Sequence, residues 1–289
     1  MATITPSMEA ALKFCNGYED HKDNLLWFLT NMINKSSITR VSLLSTSAKW
    51  DKATQYNHQT TGIYLAPANE AGINMCPYAS KGCRTSCLGH SNGFLKWDTH
   101  KERRIKRTLL FHLYPDAFMA QLGSELQIFI LQLDSYNRVH GTNIKGAIRL
   151  NGSSEIFWEQ LPYTDPTGTY PNIMARFPNL QFYDYTKAPK DKRPHIPDNY
   201  RLTFSIDERK GSVKRAIQWL KNGGNAALVV RTRSLLEQGL AEGIGGFPCV
   251  DGDEHDLRYL DPPGHVVLLK AKGDATKDTT GFTRHQLAF

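Results

Sequence analysis

"TGIYLAPANEAGINMCPYASKGCRTSCLGH", residues 61–90, joins an apolar segment to a loop that holds three of the chain's five cysteines and a histidine. Residues 61–68 read as a strand, since apolar positions follow one another without helical spacing. The segment leads into Cys76, Cys83, Cys87 and His90, so ligand-type side chains stand beyond the strand's C-terminal end. Downstream, short apolar segments return at a steady interval: "KGAIRLNG" near 145, "LQFYDYT" near 180, "RLTFSID" near 201, "NAALVV" near 225 and "HVVLLKA" near 265. Helical stretches separate several of them, among them "SVKRAIQWLKNGG", closed by a glycine pair, and "TRSLLEQGLAEG". Strand alternating with helix implies parallel pairing under a cover of helices. About six strands are too few for a closed eight-stranded barrel. The expected fold is therefore α/β: an incomplete, partial parallel β/α barrel over residues 59–289. A helical N-terminal cap is expected over residues 1–58, where "MEAALKFC" and "NLLWFLTNMINK" have amphipathic patterns.

Composition narrows the class. At 40% hydrophobic and 10% aromatic residues, the 289-residue chain is too apolar to be disordered. No apolar run approaches the roughly 18 residues of a membrane helix, so no membrane partner is expected. The start, "MATITPSMEAALKFCNGYEDHKDN", lacks the basic, apolar and small-residue regions of a secretory signal, which points to the cytoplasm. In a reducing compartment, clustered cysteines are metal ligands or reactive thiols more often than disulfides, and an odd total of five pairs incompletely. A net charge of +7 favours an anionic partner. Much of that excess lies in "HKERRIKR", residues 100–107, within the helical stretch "WDTHKERRIKRTLLFHLY". A helix there places Arg103, Lys106 and Arg107 opposite Ile105, Leu109 and Leu113, either as a solvated face or as a phosphate-binding stripe. A second helix is expected from Pro115 and Asp116 onward.

Polar groups follow each strand. The second ends in "NGSSE" (151–155), the third in "DYTK" (184–187), the fourth in "SIDE" (205–208) and the fifth in "RTR" (231–233). In a parallel sheet these groups converge with the cysteines on one mouth, where ligands bind. Three thiolates on one loop suit an iron–sulfur cluster with one iron left open. With His90 they also make a tetrahedral zinc set. Singly, "SIDE" and "NGSSE" read as helix caps, the latter with Ser153 or Ser154 at the start. A further stretch, "FPCVDGDEHDLRYLDPPGH" (247–265), gathers Asp251, Asp253, His255 and other acids in a basic chain. It could hold a divalent metal as a nuclease does, hold ribose hydroxyls or a substrate amine, or form a solvated loop. Cys249 is a possible fourth ligand, and Cys15 reads as core.

Taken together, the cysteine triad after the first strand, the Gly-containing turn ending in Glu after the second, and the Ser-x-Asp after the fourth resemble the core of radical S-adenosylmethionine (radical SAM) enzymes, over roughly residues 60–270. More narrowly, the chain resembles a group of bacteriophage proteins with a respaced triad, here C-x6-C-x3-C where the usual form is C-x3-C-x2-C. The resemblance implies a [4Fe-4S] cluster on Cys76, Cys83 and Cys87. It further implies SAM contacts from Gly152, Ser153, Glu155, Ser205 and Asp207, with an electron donor as partner. Lys187, Arg231 and Arg233 are candidates for an anionic substrate on charge alone, with Asp251, Asp253 and His255 as further substrate or metal candidates. The function expected is a radical SAM-like enzyme acting on a nucleotide or nucleic-acid-linked substrate, phage-encoded and working in the host cytoplasm. The alternative is a zinc-stabilised nucleic-acid-binding protein or a metal-dependent nuclease without redox chemistry.

Overall fold

The structure, a computed structural model, describes residues 41–46, 52–91, 95 and 97–287. Strand β1 (Leu44–Ser45) is followed by β2 (His58–Ile63), two short helices, α1 (Lys81–Thr85) and α2 (Leu88–Ser91), and two long ones, α3 (Asp98–Leu113) and α4 (Pro115–His140). Then come β3 (Lys145–Arg149), the hairpin β4–β5 (Tyr163–Asp165 and Gly168–Tyr170), α5 (Ile173–Arg176), β6 (Gln181–Thr186) and β7 (Tyr200–Ser205). Helix α6 (Ser212–Lys221), β8 (Asn225–Val230), α7 (Arg233–Glu242), β9 (Cys249–Asp251) and β10 (Val266–Lys270) follow.

Eight strands form one sheet in the order β1-β2-β3-β6-β7-β8-β10-β9, parallel throughout except at β1–β2. From β2 to β8 the order never reverses, and right-handed crossovers then bring successive helices to the same face. Register shows that face: Ile148 lies beside Phe182, Phe204 beside Ala226, and Ala226 beside Val266. It packs on Leu110, Phe118, Leu122 and Leu126 of α3 and α4, and further along on Ala216, Leu220 and Leu236 of α6 and α7. Buried apolar surface of this kind contributes roughly 25 cal/mol per Å². The opposite face carries Ala147 and Tyr183, covered by Ala53 from a 3-10 turn and by Leu257.

Local signals set the helix ends. Pro115 opens α4, where its missing N–H leaves no bond unmade, and Gly141 closes it at φ 63°. The Thr232 hydroxyl accepts the N–H of Leu235 to start α7.

All six expected strands have counterparts, the first corrected from 61–68 to His58–Ile63; among the described residues the main sheet has eight strands and the β4–β5 hairpin adds two. The two missed in the main sheet are its edge strands of two and three residues, β1 and β9, and the hairpin strands have three residues each, all too short to show a pattern. Most of the helical cap expected over 1–58 lies outside the described residues; residues 41–46 and 52–58 contribute β1, the 3-10 turn Lys52–Tyr56 and the start of β2. The basic helix is also corrected, because Arg107 is buried. Its Nε donates to the Ser42 carbonyl at 2.7 Å, so it serves the sheet edge and not a phosphate stripe. Its neighbour Arg104 is 2% exposed and pairs with Glu70 at 3.2 Å. Among the described residues, no helix is long and apolar enough to cross a membrane.

Gly123, in the middle of α4, faces the β4–β5 hairpin. An added Cβ would overlap the Tyr163 hydroxyl and sit 2.7 Å from the ring carbon that bears it. Gly123→Ala should lower the thermal unfolding midpoint even though alanine is favoured over glycine in a helix interior by about 1 kcal/mol. Adding Tyr163→Phe should restore part of the loss. A midpoint raised by Gly123→Ala alone would contradict the contact.

Candidate functional site

The loop between β2 and α1 bends at Ala68, which takes a left-handed φ of 46°. This turns its N–H onto the sulfur of Cys76 at 3.3 Å, while the Cys76 thiol donates to the Ser153 carbonyl at 3.6 Å. Cys76 is thereby fixed against the turn that follows β3. The second cysteine depends on a helix start. The Ser80 hydroxyl accepts the N–H of Cys83 at 3.1 Å, which places Cys83 in the first turn of α1. Glu208 secures that start from the far side of the sheet sequence. Its carboxylate accepts the Ser80 hydroxyl at 2.7 Å and the Gly82 N–H at 2.8 Å. Gly82 must be glycine, since a Cβ there would overlap the Thr280 hydroxyl and lie 2.5 Å from Cβ of Phe282.

The ends of β3, β6 and β7 meet these cysteines. Glu155 is buried, and its Oε1 accepts the Thr186 hydroxyl and the N–H groups of Lys187 and Ala188 at 2.8, 2.6 and 3.1 Å. Its own N–H donates to the Met75 carbonyl at 2.8 Å. Gly152 packs on the end of β2, where a Cβ would come within 2.7 Å of the Ile63 carbonyl, and the Ser153 hydroxyl donates to Leu65. Lys187 reaches the Ser205 hydroxyl at 2.7 Å and lies over the Phe282 ring. Burial alone would lower the Lys187 pKa, but Cys83, Glu155 and Asp207 outweigh it and hold the ammonium charged. Asp207 is committed: both its oxygens accept from Arg209. The structure thus brings Cys76, Cys83, Gly152, Ser153, Glu155, Lys187, Ser205 and Asp207 to one mouth, with Cys87 close enough to act on the Cys76 thiol.

The other expected members are held by partners of their own. Arg231 holds the returning C-terminal segment, donating to the carbonyls of Thr276 and Asp278. Arg233 is exposed and pairs with Glu237 and Asp251. Asp253 takes the Lys272 ammonium at 2.8 Å and the Lys270 N–H at 3.1 Å. His255 stands edge-on to Tyr56 at 4.6 Å, with Arg258 donating to its carbonyl. Arg233, Asp253 and His255 thus form separate partnerships along the β9–β10 edge and the second face of the sheet, while Arg231 ties the end of β8 to the Asp278 turn. Two contributors at the mouth carried no chain-wide signal. Glu208 was only the last letter of "SIDE". Asp278 organises a tight turn by accepting the Thr280 hydroxyl and the N–H groups of Thr280, Gly281 and Thr283, with the Ser86 hydroxyl at 3.5 Å. The Asp-x-Thr spacing of that turn was the one available cue.

The donor types present at the mouth are three thiols and a carboxylate. Burial pushes the Cys76 thiol up to about 12, with Cys87, Cys83 and Glu155 adding to the shift. Cys87 is pushed up to about 11 by burial and by Cys83. Thiols held so far on the neutral side are poor ligands as they stand, since a metal binds the thiolate and must displace the proton. As arranged, no group of three His, Cys, Asp or Glu among the described residues could hold a single metal ion. The side chain of His90 and the whole of Cys15 lie outside the described residues. Cys249 is placed apart, its sulfur beside the Phe247 carbonyl.

Comparison with known proteins gives one match. The family described as Gene product 88 matches residues 36–286. No curated protein and no solved structure matches the chain.

Glu208→Ala should free the start of α1 without touching a cysteine. Losing two hydrogen bonds to a carboxylate is worth about 2 kcal/mol or more, roughly a thirtyfold rise in local opening. Alkylation of Cys83, followed by peptide mass spectrometry, should accelerate accordingly, and an unchanged rate would remove Glu208 from this role.

Proposed function

This chain belongs to the Gene product 88 family, and from that premise and the geometry of the mouth we propose that it is a radical SAM-like enzyme with a [4Fe-4S] cluster. Its substrate would be a nucleotide or nucleic-acid-linked molecule, and its sheet an incomplete parallel β/α barrel. The supporting observation is the gathering of Cys76, Cys83 and Cys87 with Glu155, Lys187 and Ser205 at the strand ends. The barrel reading rests on the unreversed strand order from β2 to β8, with helices packed along a single face.

Cys76, Cys83 and Cys87 would hold the cluster as thiolates. One-electron cleavage of SAM, giving a radical that abstracts hydrogen from the substrate, is the chemistry such a group supplies when bound. The chain's own residues bind and orient. Lys187, kept charged by its neighbours, offsets the negative charge of the thiolates. Glu155 spends Oε1 on Thr186, Lys187 and Ala188, which fixes the carboxylate so that Oε2 can meet the SAM ammonium. Gly152 and Ser153 set the backbone of that turn against β2, and Ser205 presents a hydroxyl beside Lys187. The Arg209 pairing of Asp207 makes it a positioning residue in this scheme. The covering segment at Thr280–Phe282 limits water at α1. An external electron donor completes the set of partners.

The test is metal and sulfide content of protein purified and reconstituted without oxygen. Iron and sulfide of about four each per chain, lost in Cys83→Ala and with an electron paramagnetic resonance signal altered by added SAM, is the expected outcome. One zinc per chain with no response to SAM would replace this reading with the zinc-stabilised one.

A further inference from the structure

The crossover from β6 to β7 has only a 3-10 turn at Lys190–Lys192, whereas the crossovers on either side of it carry helices. A cleft of about 540 Å³ opens there, between the crossover, β7 and α6. Lys190, Arg193, Arg201 and Arg215 line it with Gln218 and Trp219, and no Asp or Glu is among its lining residues. Arg193 is buried. Its Nε and Nη2 engage Glu159 at 2.7 and 2.6 Å, and its Nη1 is buried with no hydrogen-bond partner. Nε of Arg215 is in the same condition. Buried guanidinium nitrogens without acceptors are costly, and an anion in the cleft would satisfy them. Four cations line the cleft, with the carboxylates of Glu159 and Asp184 behind Arg193 and Tyr200, which leaves its lining positive.

The aromatic component narrows the ligand. Trp219 stands one helical turn from Arg215, half-buried and tilted against Phe204 at 5.9 Å between ring centroids. A planar indole beside guanidinium groups matches a base joined to a phosphate: the base stacks, and the guanidinium nitrogens left without partners take phosphate oxygens. We propose that this cleft binds a nucleotide, with its phosphate on Arg193 and Arg215 and its base against Trp219. The cleft lies on the helix-covered side of the sheet and needs none of the cysteines, so it stands whether or not the cluster chemistry does.

Titration calorimetry on the full chain with AMP, inorganic phosphate and a short oligothymidylate tests this. AMP should bind at least about tenfold more tightly than phosphate, and more weakly as salt is raised. Arg215→Gln and Lys190→Gln should each weaken AMP by about tenfold. Trp219→Leu should cost AMP a similar factor and leave phosphate unchanged, while Trp219→Phe retains AMP; thermal melts of each variant confirm folding. Cys83→Ala should bind AMP as the parent does, which separates this site from the cluster. Tighter binding of the oligothymidylate would identify a strand as the source of the nucleotide. Absence of AMP binding, AMP no tighter than phosphate, or full affinity in a folded Arg215→Gln chain would each overturn the proposal.

Discussion

Much of the architecture at the mouth hangs on one oxygen atom, Oε1 of Glu155. It gathers three donors from the end of β6, while the Glu155 N–H ties to Met75 on the cysteine loop, so the exits of β2, β3 and β6 are drawn together. Buried backbone N–H groups at a strand end need an acceptor, and here a side chain from a neighbouring strand exit supplies it. The direction of Lys187 follows. With its N–H fixed, its side chain runs toward Ser205 and the thiols. Glu208 repeats the device one strand further on, where a carboxylate after β7 anchors the first turn of α1.

A second set of charges lies on the sheet face away from the helices and reaches to Asp184, which shares the helix-packed face with Phe182. Arg149 pairs with Asp256 at 2.7 Å and lies 3.9 Å from Asp184, and Arg258 stands 3.3 Å from Asp261. Burial pushes the Asp184 carboxyl up to about 7 while Arg149 pulls it back, and Asp261 is pushed up to about 6 against Arg258. Removing either partner of such a pair strands a buried charge, so these side chains depend on each other. The acidic segment in a basic protein has a physical reason here, since Asp256 and Asp261 answer arginines buried with them.

What could be read from the sequence follows from how each feature is encoded. Strands β8 and β10 are near-continuous apolar runs, as a parallel strand buried on both faces needs, and the other main strands keep shorter apolar segments among polar residues. Strands β1 and β9 are too short for any pattern, and their places are set by neighbours. Cys76, Glu155, Lys187 and Ser205 were legible because strand ends in a parallel sheet must converge. The positions of Arg231, Arg233, Asp253 and His255 were not, since charge alone does not say which partner neutralises it. Arg107 misled for a related reason: its helical position marks a face, but a long side chain can turn back to buried carbonyls.

The cover over α1 has a consequence in time. Ser86 and Asp278 are 192 residues apart in the chain. At synthesis rates of roughly 5–20 residues per second, the cysteine loop emerges some 10–40 s before the segment that closes over it. During that interval the loop lacks the Asp278 turn, whose later arrival places Thr280 and Phe282 against Gly82. Residues 278–283 therefore determine when the cover over α1 forms, and anything meant to enter beneath Thr280 and Phe282 has its easiest passage before that segment is made.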